Sequence, residues 1–274
     1  MNVVPPESSP SRLKRLLKGS LVLAVGLLVV GWLVYTPPDL LGKADSLGYA
    51  VCHRIDIRSF QLGVRQLPLC ARCTGMYLGA VVGLLFQYLT GQRRGGNPPW
   101  KVIAVLAVFV VAFGIDGVNS FLALILKHGL IYEPNNTLRL LTGTGMGLAI
   151  AAAIYPAFTD TVWVDVNGLS ALDGFKRLGA LLGIMLAIDL LVLSENWVVL
   201  YAAGLISAAG VLLLLGIVYS LVVVLLLKRE RAYSHGWQFK WPALAGFGLA
   251  LAQIFASDIV RFTITHTWGG FPLG

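Results

Sequence analysis

The 274 residues contain three cysteines, and all fall within one 22-residue stretch: Cys52-His53, then Cys70-Ala71-Arg72-Cys73. Thiolate and imidazole are ligands that zinc favours, and Cys3His is a common tetrahedral set. On this reading Cys52, His53, Cys70 and Cys73 hold one metal ion, with zinc expected. The Cys-x-x-Cys half has ordinary ligand spacing; the Cys-His half is less usual, because adjacent side chains often diverge. The same sulfurs suit thiol–disulfide exchange, with Cys52 as the resolving thiol. A third use is a structural disulfide with one thiol left over, as in an oxidising compartment. Pro68 precedes the second pair and an apolar run begins at Thr74, which puts Cys-x-x-Cys in the first turn of a helix. A helix N-terminus and the adjacent Arg72 both favour thiolate, the species that metal binding and exchange alike require.

A second set of reactive groups lies within apolar segments: Asp116, Arg139, Asp189, and Asp258 with Arg261. Charge in hydrocarbon is costly and usually faces a bundle interior or a water-filled cavity. Asp116, Asn119 and Ser120 share one helical face, and Asn135, Arg139 and Thr142 share another. At about 1.5 Å per residue, Asp116 lies roughly 12 Å and Arg139 roughly 6 Å below the same membrane surface. The two are therefore expected to meet, as an ion pair pinning two helices or as catalytic residues. Asp258 and Arg261, three residues apart, read as a simple intrahelical pair. Gly75, Gly79 and Gly83 have the small-xxx-small spacing that admits a neighbouring helix. Gly143, Gly145 and Gly147 superficially resemble a phosphate loop, but no strand precedes them. Asn135-Asn136-Thr137 reads as a helix start.

The elements that position these groups are membrane spans. Apolar residues make up 57% of the chain and charged residues 12%, a balance that a water-soluble domain cannot hide. Seven apolar stretches are read, near 20–36, 74–90, 101–124, 137–157, 178–194, 197–227 and 242–262. The sixth is long enough to tilt, bend at Gly204, Gly210 or Gly216, or split into two short helices. The fold class is an all-α polytopic bundle. A basic tail covers 1–19, a single membrane domain 20–262 and a short tail 263–274. Of the 21 Lys and Arg residues, 13 fall in the tail and alternate loops on one side, which predicts N-in, C-out topology in a prokaryotic plasma membrane. The +8 net charge thus reports topology and gives no reason to expect nucleic acid. The first outer loop, about 36–72, departs from the trend, because Arg54, Arg58, Arg65 and Arg72 interleave with the cysteines. This orientation puts every intramembrane charge in the outer half, on the side of the cysteine loop.

Cys52-His53, Arg58-Ser59-Phe60, Gly63 and Leu67-Pro68-Leu69-Cys70-Ala71-Arg72-Cys73-Thr74-Gly75-Met76-Tyr77-Leu78-Gly79 resemble the signature of a predicted prokaryotic membrane-protein family, domain of unknown function 2085. Asp116-Gly117 and Asn136-x-x-Arg139-x-x-Thr142-Gly143 resemble its later motif. The resemblance covers roughly 50–157. It implies that Cys52, His53, Arg58, Cys70, Arg72, Cys73, Asp116, Asn136 and Arg139 form one site, and it supplies no established activity. By position alone, the cysteine pair is also similar to that of membrane disulfide-generating enzymes and vitamin K epoxide reductases. Those enzymes hold Cys-x-x-Cys beside a quinone pocket, but their usual second cysteine pair is missing here.

The resulting expectation is a site facing the exoplasmic side. Cys52, His53, Cys70 and Cys73 hold the metal, Arg58, Arg72 and Asn136 bind a small polar or anionic ligand, and Asp116 and Arg139 are the candidate catalytic residues. A metal-dependent enzyme, a thiol–quinone oxidoreductase and a transporter with a structural metal site compete.

Overall fold

The computed structural model describes residues 12–269; residues 1–11 of the basic tail and 270–274 of the C-terminal tail lie outside the described residues. It is an all-α bundle with eight helices among the described residues: α1 Arg12–Tyr35, α2 Leu40–Val51, α3 Ala71–Gly91, α4 Trp100–Leu126, α5 Asn136–Val162, α6 Phe175–Leu193, α7 Trp197–Leu226 and α8 Gly236–Thr265. Six of them (α1, α3, α4, α5, α7 and α8) are long and apolar enough to cross a membrane. The seventh expected span is α6, a shorter helix that carries Lys176, Arg177 and Asp189. Two small sheets complete the chain. A hairpin joins β1 Gln61–Leu62 to β2 Arg65–Gln66, and β3 Arg94–Gly96 runs parallel to β4 Asn167–Ser170 at the other end of the bundle.

Helix α2 occupies part of what the sequence reads as a loop. Asp39, after Pro37-Pro38, caps it by accepting the Gly42 N–H at 2.9 Å. The helix then buries Ala44, Ser46, Leu47, Gly48 and Tyr49. At twelve residues it is far too short to span and survives by packing against α7 and α8. Helix α7 is continuous over 30 residues. Its Gly204 does not divide it: a Cβ there would lie 3.1–3.2 Å from Pro68 and Leu67, so this glycine makes room for the cysteine loop.

The most intimate contact joins α3 to α5. A Cβ on Gly75 would stand 2.3 Å from the Leu140 carbonyl oxygen, and one on Gly79 2.6 Å from that of Thr144. From the other side, Gly143 and Gly147 face the carbonyl oxygens of Arg72 and Met76, each at 2.1 Å from a built Cβ. The glycine-rich run of α5 is thus the counterpart of the small-xxx-small stripe on α3: it packs helix on helix. Around Cys52 the core is assembled from α1, α2, α7 and α8 through Trp32, Ala44, Leu47, Leu69, Ala208, Val211, Leu251 and Ile254.

Candidate metal centre

Cys52 ends α2 with extended backbone, and Cys70 is the N-cap of α3. Cys73 lies one turn into α3. The three sulfurs lie within 4.8 Å of one another. A tetrahedral ion with metal–sulfur bonds of about 2.3 Å sets its sulfurs about 3.8 Å apart, so the cluster fits one ion with little adjustment. The three are free thiols, with Cys52 buried and the others half-buried. The Cys52 sulfur is a sink for hydrogen bonds. The thiols of Cys70 and Cys73 and the N–H groups of Cys70 and Arg54, at 3.5 and 3.4 Å, hold its pKa well below the ordinary thiol value. Cys70, whose proton that contact uses, is pushed up to about 12. A metal held by these three sulfurs would need all of them as thiolates, so its binding would release their protons.

His53, the expected fourth ligand, is not in this group. Extended backbone at Cys52 (φ −128°, ψ 144°) points neighbouring side chains to opposite sides. His53 is exposed and lines a cavity of about 550 Å³ between α2 and α8, with Tyr49, Val260, Arg261 and Ile264.

The second correction concerns Asp116. Its partner is Arg72 and not Arg139. Arg72 Nε donates to Oδ2 at 2.9 Å, its Nη2 makes an ion pair with the same oxygen, and Nη2 also reaches the Asp116 carbonyl and Ser120 Oγ. Tyr132 donates its hydroxyl to Oδ1 at 2.7 Å, and Thr142 lies 3.4 Å from Oδ2. The Asp116–Asn119–Ser120 face is buried as expected, and Asn119 pins the following loop through the Ile131 N–H and the Tyr132 carbonyl. Among the described residues Arg139 forms no salt bridge with Asp116, although the Asp116 charge acts on it. Its Nη1 donates instead to Asn136 Oδ1 at 2.9 Å, while Asn136 Nδ2 reaches the Ser59 carbonyl at 3.4 Å. Arg58, in the 3-10 turn Asp56–Arg58, donates to the Ser120 carbonyl at 2.6 Å. Burial and then the Arg72 charge pull its guanidinium below its usual value, with Cys70 and Asp116 acting the other way. Asn135 caps α5 through the Leu138 N–H, as its helix-start reading requires.

Arg261 is the residue whose role the sequence conceals. It reaches off α8 to the carbonyls of Tyr49, Cys52 and His53, and its guanidinium sits 3.8 Å from the Tyr49 ring centroid. Asp258 takes a hydrogen bond from Trp32 Nε1 at 3.2 Å, so the expected intrahelical pair is instead part of a set of ties from α8 to α1 and α2. Asp189 on α6 accepts from Thr144 on α5 at 2.9 Å.

The family model described as "Predicted membrane protein (DUF2085)" matches residues 52–153. An uncharacterized protein of Methanothermobacter thermautotrophicus is 32% identical over 106 residues, 38% of this chain and 86% of the relative. The chain belongs to this family. An uncharacterized protein of Methanocaldococcus jannaschii is 27% identical over 113 residues, 41% of this chain and 67% of the relative. No solved structure matches. The DUF2085 region opens on Cys52 and closes within α5, so it takes in the three sulfurs, Arg58, Arg72, Asp116, Asn136 and Arg139. Arg261 lies outside it.

Proposed function

We propose that this DUF2085 protein is a membrane metalloprotein in which the Cys52, Cys70 and Cys73 thiolates hold one zinc ion beside a polar pocket for a small polar or anionic ligand. The observation that carries this reading is the convergence of three sulfurs, from chain positions eighteen and three residues apart, to within 4.8 Å. Three protein ligands with a fourth position open is the arrangement of catalytic rather than structural zinc, and His53, if it joins, closes the site. On this reading Arg58, Arg72 and Asn136 would contact the ligand, with Asp116 fixing Arg72 and Arg139 beside Asn136. Bound zinc would supply a Lewis acid there. The protein's own residues supply orientation and positive charge.

Metal analysis with thiol counting tests the reading. One zinc per chain is expected, and Cys52→Ser, Cys70→Ser and Cys73→Ser should each lower metal content and thermal stability by similar amounts. His53→Ala should change both less. Metal-free protein, purified without chelator and carrying a reducible Cys70–Cys73 disulfide, would end the metal reading; bound quinone beside that disulfide would favour the thiol–quinone alternative.

The Lys and Arg distribution supports placing the site on the exoplasmic face of a prokaryotic plasma membrane. Val64, at the tip of the β1–β2 hairpin, is fully exposed, and Arg229 lies at the opposite end of the bundle, after α7. With a membrane-impermeant maleimide on intact cells, Val64→Cys should label, whereas Arg229→Cys should label only after permeabilisation. The reverse pattern inverts the topology.

A further inference from the structure

The site end of the bundle holds more positive charge than its own carboxylates answer. Arg58, Arg72 and Arg139 approach one acid, Asp116, and the charges of Arg58, Arg72 and Asp116 all act on Arg139. Asp116 is already committed, one oxygen to Arg72 and the other to Tyr132. Neither Asp56, which accepts from Gln61, nor Glu133, which accepts the Gly129 N–H, is among the charges that act on Arg58 or Arg139. Among the described residues neither Arg58 nor Arg139 makes a salt bridge. Each spends one nitrogen on a neutral oxygen, and the Nε of each is buried without a partner. Arg139 is only 6% exposed.

A buried, permanently charged guanidinium with an idle donor is a costly arrangement unless an anion completes it. The planar fork formed by Nε and Nη matches an oxyanion, which accepts two parallel hydrogen bonds. Three guanidinium charges against one carboxylate leave two positive charges. A three-thiolate zinc centre beside them would take away one, so an anion still has a charge to answer.

We propose that Arg139 and Arg58, carried by the start of α5 and the 3-10 turn, form a binding site for an oxyanion of the phosphate, sulfate or carboxylate class. The proposal rests on the polar-pocket half of the function above and names its ligand. It does not require the metal. The source is a soluble anion or the headgroup of an anionic lipid, since both present the same oxygens.

The test uses the full chain in nanodiscs of neutral lipid, with inorganic phosphate or acetate added against chloride at matched ionic strength. A rise of about 2–4 °C in unfolding midpoint, the scale of 1 kcal/mol in a chain of this size, is expected with at least one of them. Arg139→Gln and Arg58→Gln should each abolish the rise while leaving metal content unchanged. Arg139→Gln should also be no less stable than the parent in chloride alone, because it removes an unanswered charge. If phosphatidylglycerol in the nanodisc stabilises the parent and removes the response to phosphate, the headgroup is the ligand; if the response persists, the ligand is the soluble anion. The proposal is overturned if neither added anion nor anionic lipid shifts the midpoint, or if both variants respond like the parent. Metal loss with the anion response intact would instead sink the zinc reading.

Discussion

Asp116→Asn is expected to cost about 3–5 kcal/mol, the scale on which removing one partner of a buried ion pair destabilises a protein. The Asp116 side chain is 1% exposed and that of Arg72 18%; Asn would leave the guanidinium without its counter-charge and weaken the Tyr132 and Thr142 contacts. Arg72→Met should be comparably damaging from the other side. The double variant should cost clearly less than the two singles together, because neither leaves the other's charge stranded. Thermal midpoints and folded yield in detergent would measure this. The pairing of Asp116→Asn with Arg139→Gln is the control, expected to couple more weakly than Asp116 with Arg72, because the two charges interact without an ion pair. Additive losses for Asp116 with Arg72, or strong coupling of Asp116 to Arg139, would reverse the assignment of partners.

Gly143→Val should be the other severe change. Its Cβ would meet the Arg72 carbonyl oxygen at 2.1 Å, a backbone atom that cannot swing aside, so α3 and α5 must separate where α3 carries Cys70, Arg72 and Cys73. Overpacking of this kind costs about 1–3 kcal/mol and at times more. On the proposed zinc reading it should also lower metal content, a readout that mere destabilisation at a distant helix contact would not move. Gly179→Ala on α6, where nothing lies within 4 Å of an added Cβ, should be neutral or slightly stabilising, since alanine favours the helix. A Gly143→Val protein with full stability and metal content would show that the α3–α5 approach is looser than described.

The spans were legible because hydrocarbon selects long apolar runs, and Asn135 marked the start of α5 by chemistry that acts within three residues. Helix α2 was not legible: Lys43, Asp45 and Ser46 interrupt its twelve residues, and its burial depends on α7 and α8, which are remote in sequence. Asp39 after two prolines was the local signal. The cysteines declared themselves by residue type and spacing. His53 was expected as a ligand because it completes a Cys3His set, and the extended backbone at Cys52 turns it away from the sulfurs. The Asp116–Arg139 expectation used the rise along each helix, which gives depth but not which face turns toward which neighbour. Arg72 won that carboxylate because the α3–α5 glycine contact brings the first turn of α3 alongside. Arg261 could not be found this way, since its partners are backbone carbonyls that residue types do not reveal.

The hold of Arg261 on the carbonyls of Tyr49, Cys52 and His53 bears on how portable the sulfur loop is. Buried carbonyls need donors, and here a donor comes from the last helix, over 200 residues away in sequence. A fragment ending at residue 157 would keep every residue matched to the family yet lose this clamp, so it is not a transplantable module. The Methanothermobacter relative, of which 106 aligned residues are already 86%, has no room for counterparts of α6, α7 and α8. In a chain of that length, donors to the corresponding carbonyls would have to come from other parts than helices like these.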